Sequence, residues 1–225
     1  MLSRLPATSA GQPFSIADKA IASQMFRVLK LSPGETIQCF ADGGPEYTIA
    51  IEDISPAAVS GTVTAITSYA PAARTVIAAI SIVKGDAFEL IVQKLTELGV
   101  TTIVPIISNR TVKQSVRLDR LQAISDEAVE QSGGMQRVRI TEPLSLKECF
   151  EQFPFYSIVL DPITANTALA ELPETIVYYV GPEGGWDEKD EAVLTASGAH
   201  SLKVSDRVLR TETAAIVGAY ALLQK

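Results

Sequence analysis

Histidine and cysteine are scarce in this chain, and long apolar runs are missing altogether. There is one histidine, His200, among 225 residues, and there are two cysteines, Cys39 and Cys149. The thiols stand far apart without metal-ligand spacing. The sequence therefore predicts no metal site and no disulfide framework, but two free, partly buried cysteines in a reducing cytoplasm. The lone imidazole lies in the apparent strand HSLKVS and is expected to be structural. No run approaches the roughly 20 apolar residues that a membrane-spanning helix needs. The opening MLSRLPATSAGQPFS has no basic start leading into an apolar core, so no secretory signal is expected. Neither G-x-G-x-x-G nor a glycine loop ending in Gly-Lys-Ser/Thr occurs, which removes the dinucleotide and P-loop fingerprints. Internal repeats and low-complexity tracts are also absent.

Positive charge is in deficit: 19 lysines and arginines face 26 aspartates and glutamates, a net charge of −7. Such a balance argues against indiscriminate binding of nucleic acid, whose phosphates supply most non-specific affinity. Distribution qualifies the sum. The stretch RTVKQSVRLDR (110–120) holds four bases and one acid, and the pairs Arg137/Arg139 and Arg207/Arg210 follow. Basic patches on an acidic body suit one structured RNA target; they are equally what solvated helix faces look like.

What is present divides into two parts. Residues 1–70 carry short β-type runs, ETIQCF (35–40), EYTIAIEDI (46–54) and AVSGTVTAI (58–66), separated by Gly/Pro turns and preceded by one helix over about 17–30. This predicts a small β-barrel. YAPAAR (69–74) reads as a linker. Residues 74–225 alternate instead. TVIAAISIV (75–83) is the uninterrupted run of a strand buried on both faces. DAFELIVQKLTELG (86–99) is a helix with Phe88, Ile91, Leu95 and Leu98 on one stripe. Strands are predicted at 101–108, 137–143, 156–162, 175–180 and 201–205, and helices at 116–132, 145–152, 187–197 and 213–223. The alternation implies an α/β fold with a mostly parallel sheet.

Ligands of such sheets bind beyond the carboxyl ends of the strands, and two of those ends carry unusual residues. One is YYVGPEGGWDEKDE (178–191), where Glu183, Asp187, Glu188, Asp190 and Glu191 crowd a glycine turn. Asp187 is placed to cap the following helix. The carboxylates would repel a phosphate, so the turn is either purely structural or built for a ligand with cationic groups, such as S-adenosylmethionine. The other is VSDRVLRTETAA (204–215). Here Arg207 and Arg210 precede a helix that is apolar nearly all round and must be buried in the core or against a partner subunit. Thr211 is the expected N-cap. The arginines either pair with Glu212 or aim planar guanidiniums at RNA.

These stretches, together with FRVLKLSPGE (26–35), KGDAFELIVQKLTELGVTTIVPIISNR (84–110) and EAVEQSGG (127–134), resemble the ribosomal small-subunit methyltransferase E family of the SPOUT superfamily, in order along nearly the whole chain. The resemblance implies a PUA-like RNA-binding barrel over 1–70 and a SPOUT methyltransferase domain with a deep trefoil knot over 74–225. It implies S-adenosylmethionine as cofactor, a homodimer, no metal, and methylation of uridine N3 in 16S rRNA of the 30S subunit at the decoding centre. Leu160, Val180, Gly181, Pro182, Glu183, Gly184, Gly185, Val204, Ser205, Val208 and Leu209 would then bind the cofactor. Arg210, Glu212, Arg207 and Glu130 would act in catalysis. Arg27, Lys30, Lys84, Arg110, Lys113, Arg117 and Arg137 would contact RNA. The chain departs from the family at Ser205-Asp206, where a glycine is usual, and at Gly134-Met135, where an arginine is frequent. A superfamily relative acting on a ribose 2′-OH or on tRNA, and a non-catalytic ribosome-assembly protein, are the alternative readings.

Overall fold

The computed structural model describes residues 10–40, 44–68, 74–111, 115–134, 136–161 and 172–224. The chain falls into two compact units, residues 1–71 and 72–225.

In the first unit, strands β1 (Pro13–Ile16), β2 (Thr36–Phe40), β3 (Glu46–Ile54) and β4 (Val59–Thr67) form an antiparallel sheet in the order β1-β4-β3-β2. The predicted strands stand within a residue of their expected places; the four-residue β1, opened by a proline, was too short for a periodic signal. Along β3 the alternation Tyr47, Ile49, Ile51 in the core is interrupted, and Ile54 follows. A register shift between Ile51 and Asp53 absorbs the extra residue, as a bulge does. Opposite it, Gly61 lies so close to the Ala50 carbonyl that any side chain would collide with it. The single helix expected over 17–30 is observed in two pieces. α1 (Lys19–Ser23) is capped by Asp18, whose carboxylate accepts from the amides of Ala20 and Ile21 at 2.8 and 3.2 Å. It widens into a π-helical turn, Gln24–Val28, that leads to Lys30 at φ 53°. Nothing in the local sequence marks that widening.

The second unit is a parallel sheet in the order β11-β9-β10-β5-β6-β7, with β8 paired to β6. Its strands are β5 (Thr75–Ser81), β6 (Thr102–Ile107), β7 (Arg139–Ile140), β8 (Leu144–Ser145), β9 (Tyr156–Leu160), β10 (Thr175–Val180) and β11 (His200–Leu202). The helices are α2 (Ala87–Leu98), α3 (Leu118–Ser132), α4 (Leu146–Gln152), α5 (Glu188–Ala196) and α6 (Thr211–Leu223). The mostly parallel α/β architecture is as expected. The one run predicted over 137–143 is shorter, with β8 added behind it.

Central β5 and β10 are buried over nearly their whole length, as their unbroken apolar runs require. On β10 the adjacent Tyr178 and Tyr179 point to opposite faces. Tyr178 donates to the Ala215 carbonyl of α6 at 2.9 Å, and Tyr179 stacks on Phe150 of α4 with ring centroids 4.5 Å apart. α6 buries Ala215, Gly218, Ala219 and Leu222, whereas Tyr220 is 56% exposed. One face of this apolar helix therefore meets the core. Gly218 is needed there, because a Cβ would strike Leu160 of β9. α2 packs against both α3 and α6, buries Phe88, Ile91, Val92 and Leu95, and ends at Gly99 with φ 92°. Residues 69–73 of the predicted linker lie outside the described residues. Arg74 does not behave as linker: its guanidinium donates to the carbonyls of Leu172, Pro173 and Leu222 at 2.8 to 3.2 Å.

Both cysteines are free and buried, and burial pushes each thiol up to about 11. His200 is at the surface and stacks on Tyr156 at 4.5 Å. Among the described residues, no helix is long and apolar enough to cross a membrane and no cluster of three metal-ligating side chains occurs.

Candidate functional site

The carboxyl ends of β9, β10 and β11 open into a cavity of about 1100 Å³. Its wall at β10 comes from the turn 181–186, most of whose residues are held by a visible contact. Gly185 adopts φ 69°, a left-handed conformation that a side chain would strain. Its amide closes the turn onto the Pro182 carbonyl at 2.9 Å. The indole of Trp186 lies over Gly181, where a Cβ would stand 3.1 Å from the ring. The Thr211 hydroxyl donates to the Gly181 carbonyl at 3.0 Å. A carboxylate oxygen of Glu183 accepts from the Lys84 amide at 3.2 Å. Arg110 donates to the Gly184 carbonyl at 2.6 Å.

The five carboxylates divide by role. Asp187 and Asp190 form a capping box at the start of α5. The Asp190 amide, then the Asn109 side chain and the Lys189 amide, hold the Asp187 carboxyl below its ordinary value. Asp190 is buried, and desolvation raises its carboxyl above the ordinary value. Glu188 sits in the first turn of α5, where the helix dipole favours it. Only Glu183 and Glu191 line the cavity, joined by Glu212 from α6.

The segment 203–210 forms the facing wall. Ser205 accepts from the Arg207 amide at 3.1 Å, and Lys203 pairs with Asp206 at 3.0 Å across the same turn. The carboxylate that departs from the family pattern is thus turned outward, 99% exposed, onto a lysine. Val208 is 83% exposed at the cavity mouth. Arg210 takes the N-cap position of α6, so Thr211, the expected cap, is the first helical residue and spends its hydroxyl on Gly181. Arg210 stands 3.9 Å from Glu212, a loose pair that leaves its guanidinium 87% exposed.

The structure gathers most of the expected cofactor residues around one space: Leu160, Val180, Gly181, Pro182, Glu183, Gly185, Val204, Ser205, Val208 and Leu209 all line it, as do Arg207, Arg210 and Glu212. Gly184 does not; it faces Arg110 on the outer side of the turn. Glu130 is exposed on α3 and is not brought to the cavity within this chain. Arg137 is engaged by Asp126 through two bonds of 2.8 Å, and Arg117 pairs with Asp119 at 2.9 Å. Lys84 is exposed beside the turn, Arg27 and Lys30 are exposed on the first unit, and Lys113 and Met135 lie outside the described residues. Sequence reasoning missed Asp161 and Trp186 in the wall, and named Glu191 only among the carboxylates crowding the turn. Asp161 was the most legible of these, being the polar residue that ends the run SIVL at a strand's carboxyl end.

A cavity of this kind, beyond the strand ends of a parallel sheet, is where α/β domains bind small molecules. A family model described as RNA methyltransferase domain matches residues 70–224, and the chain belongs to that family. Among curated relatives, it is 29% identical to ribosomal RNA small subunit methyltransferase E of Synechocystis, over 85% of this chain and 66% of that protein. With the protein of the same name from Bacillus subtilis it shares 28% identity, over 93% and 88% of the two chains. In the Synechocystis and Mesomycoplasma hyopneumoniae relatives the match spans 66% of the protein's own length. Among solved structures it is similar to ribosomal RNA small subunit methyltransferase E from Neisseria gonorrhoeae bound to S-adenosyl methionine. That likeness has a TM-score of 0.86 and 28% identity, and covers 98% of this chain and 95% of that one.

Proposed function

We propose that this chain transfers a methyl group from S-adenosylmethionine to N3 of one uridine in 16S rRNA of the 30S subunit, in the decoding-centre region, as a cytoplasmic homodimer. The observation that carries the reading is the cavity itself, in a chain whose relatives bear the name ribosomal RNA small subunit methyltransferase E. Its donor set fits the cofactor. Leu160, Val180, Leu202 and Leu209 offer apolar wall to a nucleoside, and Glu183, Glu191 and Glu212 offer negative charge to a ligand with sulfonium and ammonium groups. A solved relative holds that cofactor. In the same reading the sheet of the first unit belongs to a PUA-like RNA-binding barrel, and the path through 203–210 to α6 belongs to a trefoil knot, an exception to the rule against knots.

When bound, the cofactor supplies an electrophilic methyl on sulfur. The chain's own residues then have three tasks. The turn 181–185 and the segment 204–209 fix the cofactor's place, and alignment of the reacting atoms contributes up to about 7–11 kcal/mol of barrier lowering. Arg210, with Arg207 beside it, places positive charge where negative charge develops on the uracil oxygens as the N3 proton leaves. Glu212, on the first turn of α6 and 21% exposed, is the proton acceptor. The target base must be unstacked to reach the cavity mouth.

The test is incubation with labelled S-adenosylmethionine and 30S subunits lacking the modification, followed by primer extension, which N3-methyluridine blocks at its Watson–Crick edge. Label at one uridine with a stop supports the reading; label on ribose, or label on tRNA in a parallel incubation and none on the subunits, replaces the substrate, and no label on either refutes the activity. Arg210→Ala is expected to abolish transfer and to leave cofactor affinity within about threefold, the scale of a lost surface ion pair. Near-normal turnover in that variant would remove Arg210 from the mechanism.

A further inference from the structure

The basic stretch 110–120 is read from sequence as RNA-facing, yet its first residue is directed elsewhere. We infer that Arg110 is a positioning residue of the cofactor turn rather than an RNA contact: it clamps the turn from outside the cavity through the Gly184 carbonyl. The identity of the ligand rests on the reading proposed above; the clamp itself rests on geometry.

Nη1 of Arg110 donates to the Gly184 oxygen at 2.6 Å, a charge-assisted bond shorter than the ordinary amide–carbonyl distance. The stem of the same side chain runs along the glycine, with Cδ 3.4 Å from the point where a Cβ would stand. Gly184 lines no part of the cavity, so Arg110 acts through the turn and not on the ligand. The neighbouring Asn109 reaches the other end of the turn, donating to the Asp187 carboxylate at 3.2 Å. Two consecutive residues after β6 therefore hold Gly184 and Asp187, on either side of Gly185.

That arrangement answers a physical need. Gly185, at φ 69°, holds a left-handed conformation open to glycine, a residue with no side chain of its own to fix the turn. A turn free to swing there would have to be ordered by the ligand, at the expense of affinity. The clamp is itself anchored. Ser108 and Thr111 are buried, and the Thr111 hydroxyl accepts from the Ser108 amide at 3.0 Å. The two hydroxyls lie 2.8 Å apart, and the Thr111 amide returns to the Ser108 carbonyl at 3.0 Å. Asn109 and Arg110 thus project from a closed four-residue turn at the end of a central strand. The other arms of the cofactor turn come from β5–α2, through the Lys84 amide, and from α6, through Thr211.

The test compares the full chain with Arg110→Ala and Arg110→Lys. Calorimetry reads S-adenosylmethionine binding; filter binding over a salt series reads affinity for a 16S rRNA fragment; amide exchange reads residues 183–186 in the free protein. Arg110→Ala is expected to weaken cofactor binding by roughly tenfold or more, the lower end of what one hydrogen bond to a charged group contributes. It should also speed exchange across the turn while leaving RNA affinity and its salt slope unchanged. Arg110→Lys, a point charge within reach of the same carbonyl, should recover part of the cofactor affinity. Unaltered cofactor affinity with weaker RNA binding and a shallower salt slope would overturn the inference and return Arg110 to the RNA face. If the unmodified chain binds no S-adenosylmethionine, the cofactor reading fails by itself. The exchange rates then decide the clamp, and unchanged exchange in Arg110→Ala sinks it.

Discussion

At Gly181 the absence of a side chain makes room for the indole of Trp186. Gly181→Ala would place a methyl group 3.1 Å from the ring and force the indole outward. The expected result is a folded protein, about 1–3 kcal/mol less stable, with cofactor affinity reduced about tenfold; thermal unfolding and calorimetry check both. Asp190 makes a prediction in pH. Burial favours its neutral form, so the folded chain keeps this proton to a higher pH than the unfolded chain, whose carboxyl titrates near 3.8. From that value up to the raised one the native state carries more protons, and stability falls as pH rises. Asp190→Asn keeps an acceptor for the capping box and removes the penalised charge. Its melting temperature should equal or exceed that of the unmodified chain near neutrality, with the difference closing below about pH 3. A variant melting lower near neutrality would assign Asp190 a stabilising charge. Much at this scale was legible: the strand-end loops named most of the cavity wall because glycine, proline and paired arginines are rare together. What sequence could not give is direction. Arg110 and Arg137 read alike as bases, and only folding brings Gly184 and Asp126 within their reach.

Among the elements, the long periodic ones were legible because their period carries the burial. α2 buries three of the predicted stripe, Phe88, Ile91 and Leu95, with Leu98 half-buried at its end, and β5 and β10 are as enclosed as their runs imply. Illegible were the pieces too short to carry a period or unmarked by their local residues: the four-residue β1, the division of 137–145 into β7 and β8, and the π-helical turn at Gln24–Val28. α6 shows how neighbouring elements depend on one another. Its approach to β9 requires Gly218, because Leu160 fills the space a Cβ would take. Gly218→Ala is expected to cost about 1–3 kcal/mol. Leu160→Val, which withdraws the offending methyl groups, should return part of that loss in the double variant. Strictly additive losses in chemical denaturation would show that the helix relaxes away instead.

Over the whole molecule, a net charge of −7 makes any RNA affinity depend on a few basic residues. In the first unit Arg27 and Lys30 are exposed beside Phe26, Val28 and Leu29, which are 41%, 71% and 58% exposed. If each base meets one phosphate of an unpaired strand, replacing both with alanine lowers the salt slope of RNA binding by about 1.4, at about 0.7 per contact. Cofactor affinity should stay the same. An unchanged slope would place the RNA elsewhere. The carboxyl ends of β9, β10 and β11 gather the cavity, both loops, Arg207 and Arg210, while the Tyr156–His200 stack lies at the opposite ends of β9 and β11.

The chain's only tryptophan stands in the cavity wall against the glycine turn. Its emission is therefore a label already in place. A shift in intensity or wavelength reports on that wall alone, with no background from a second indole, so occupancy can be titrated optically on the unmodified protein.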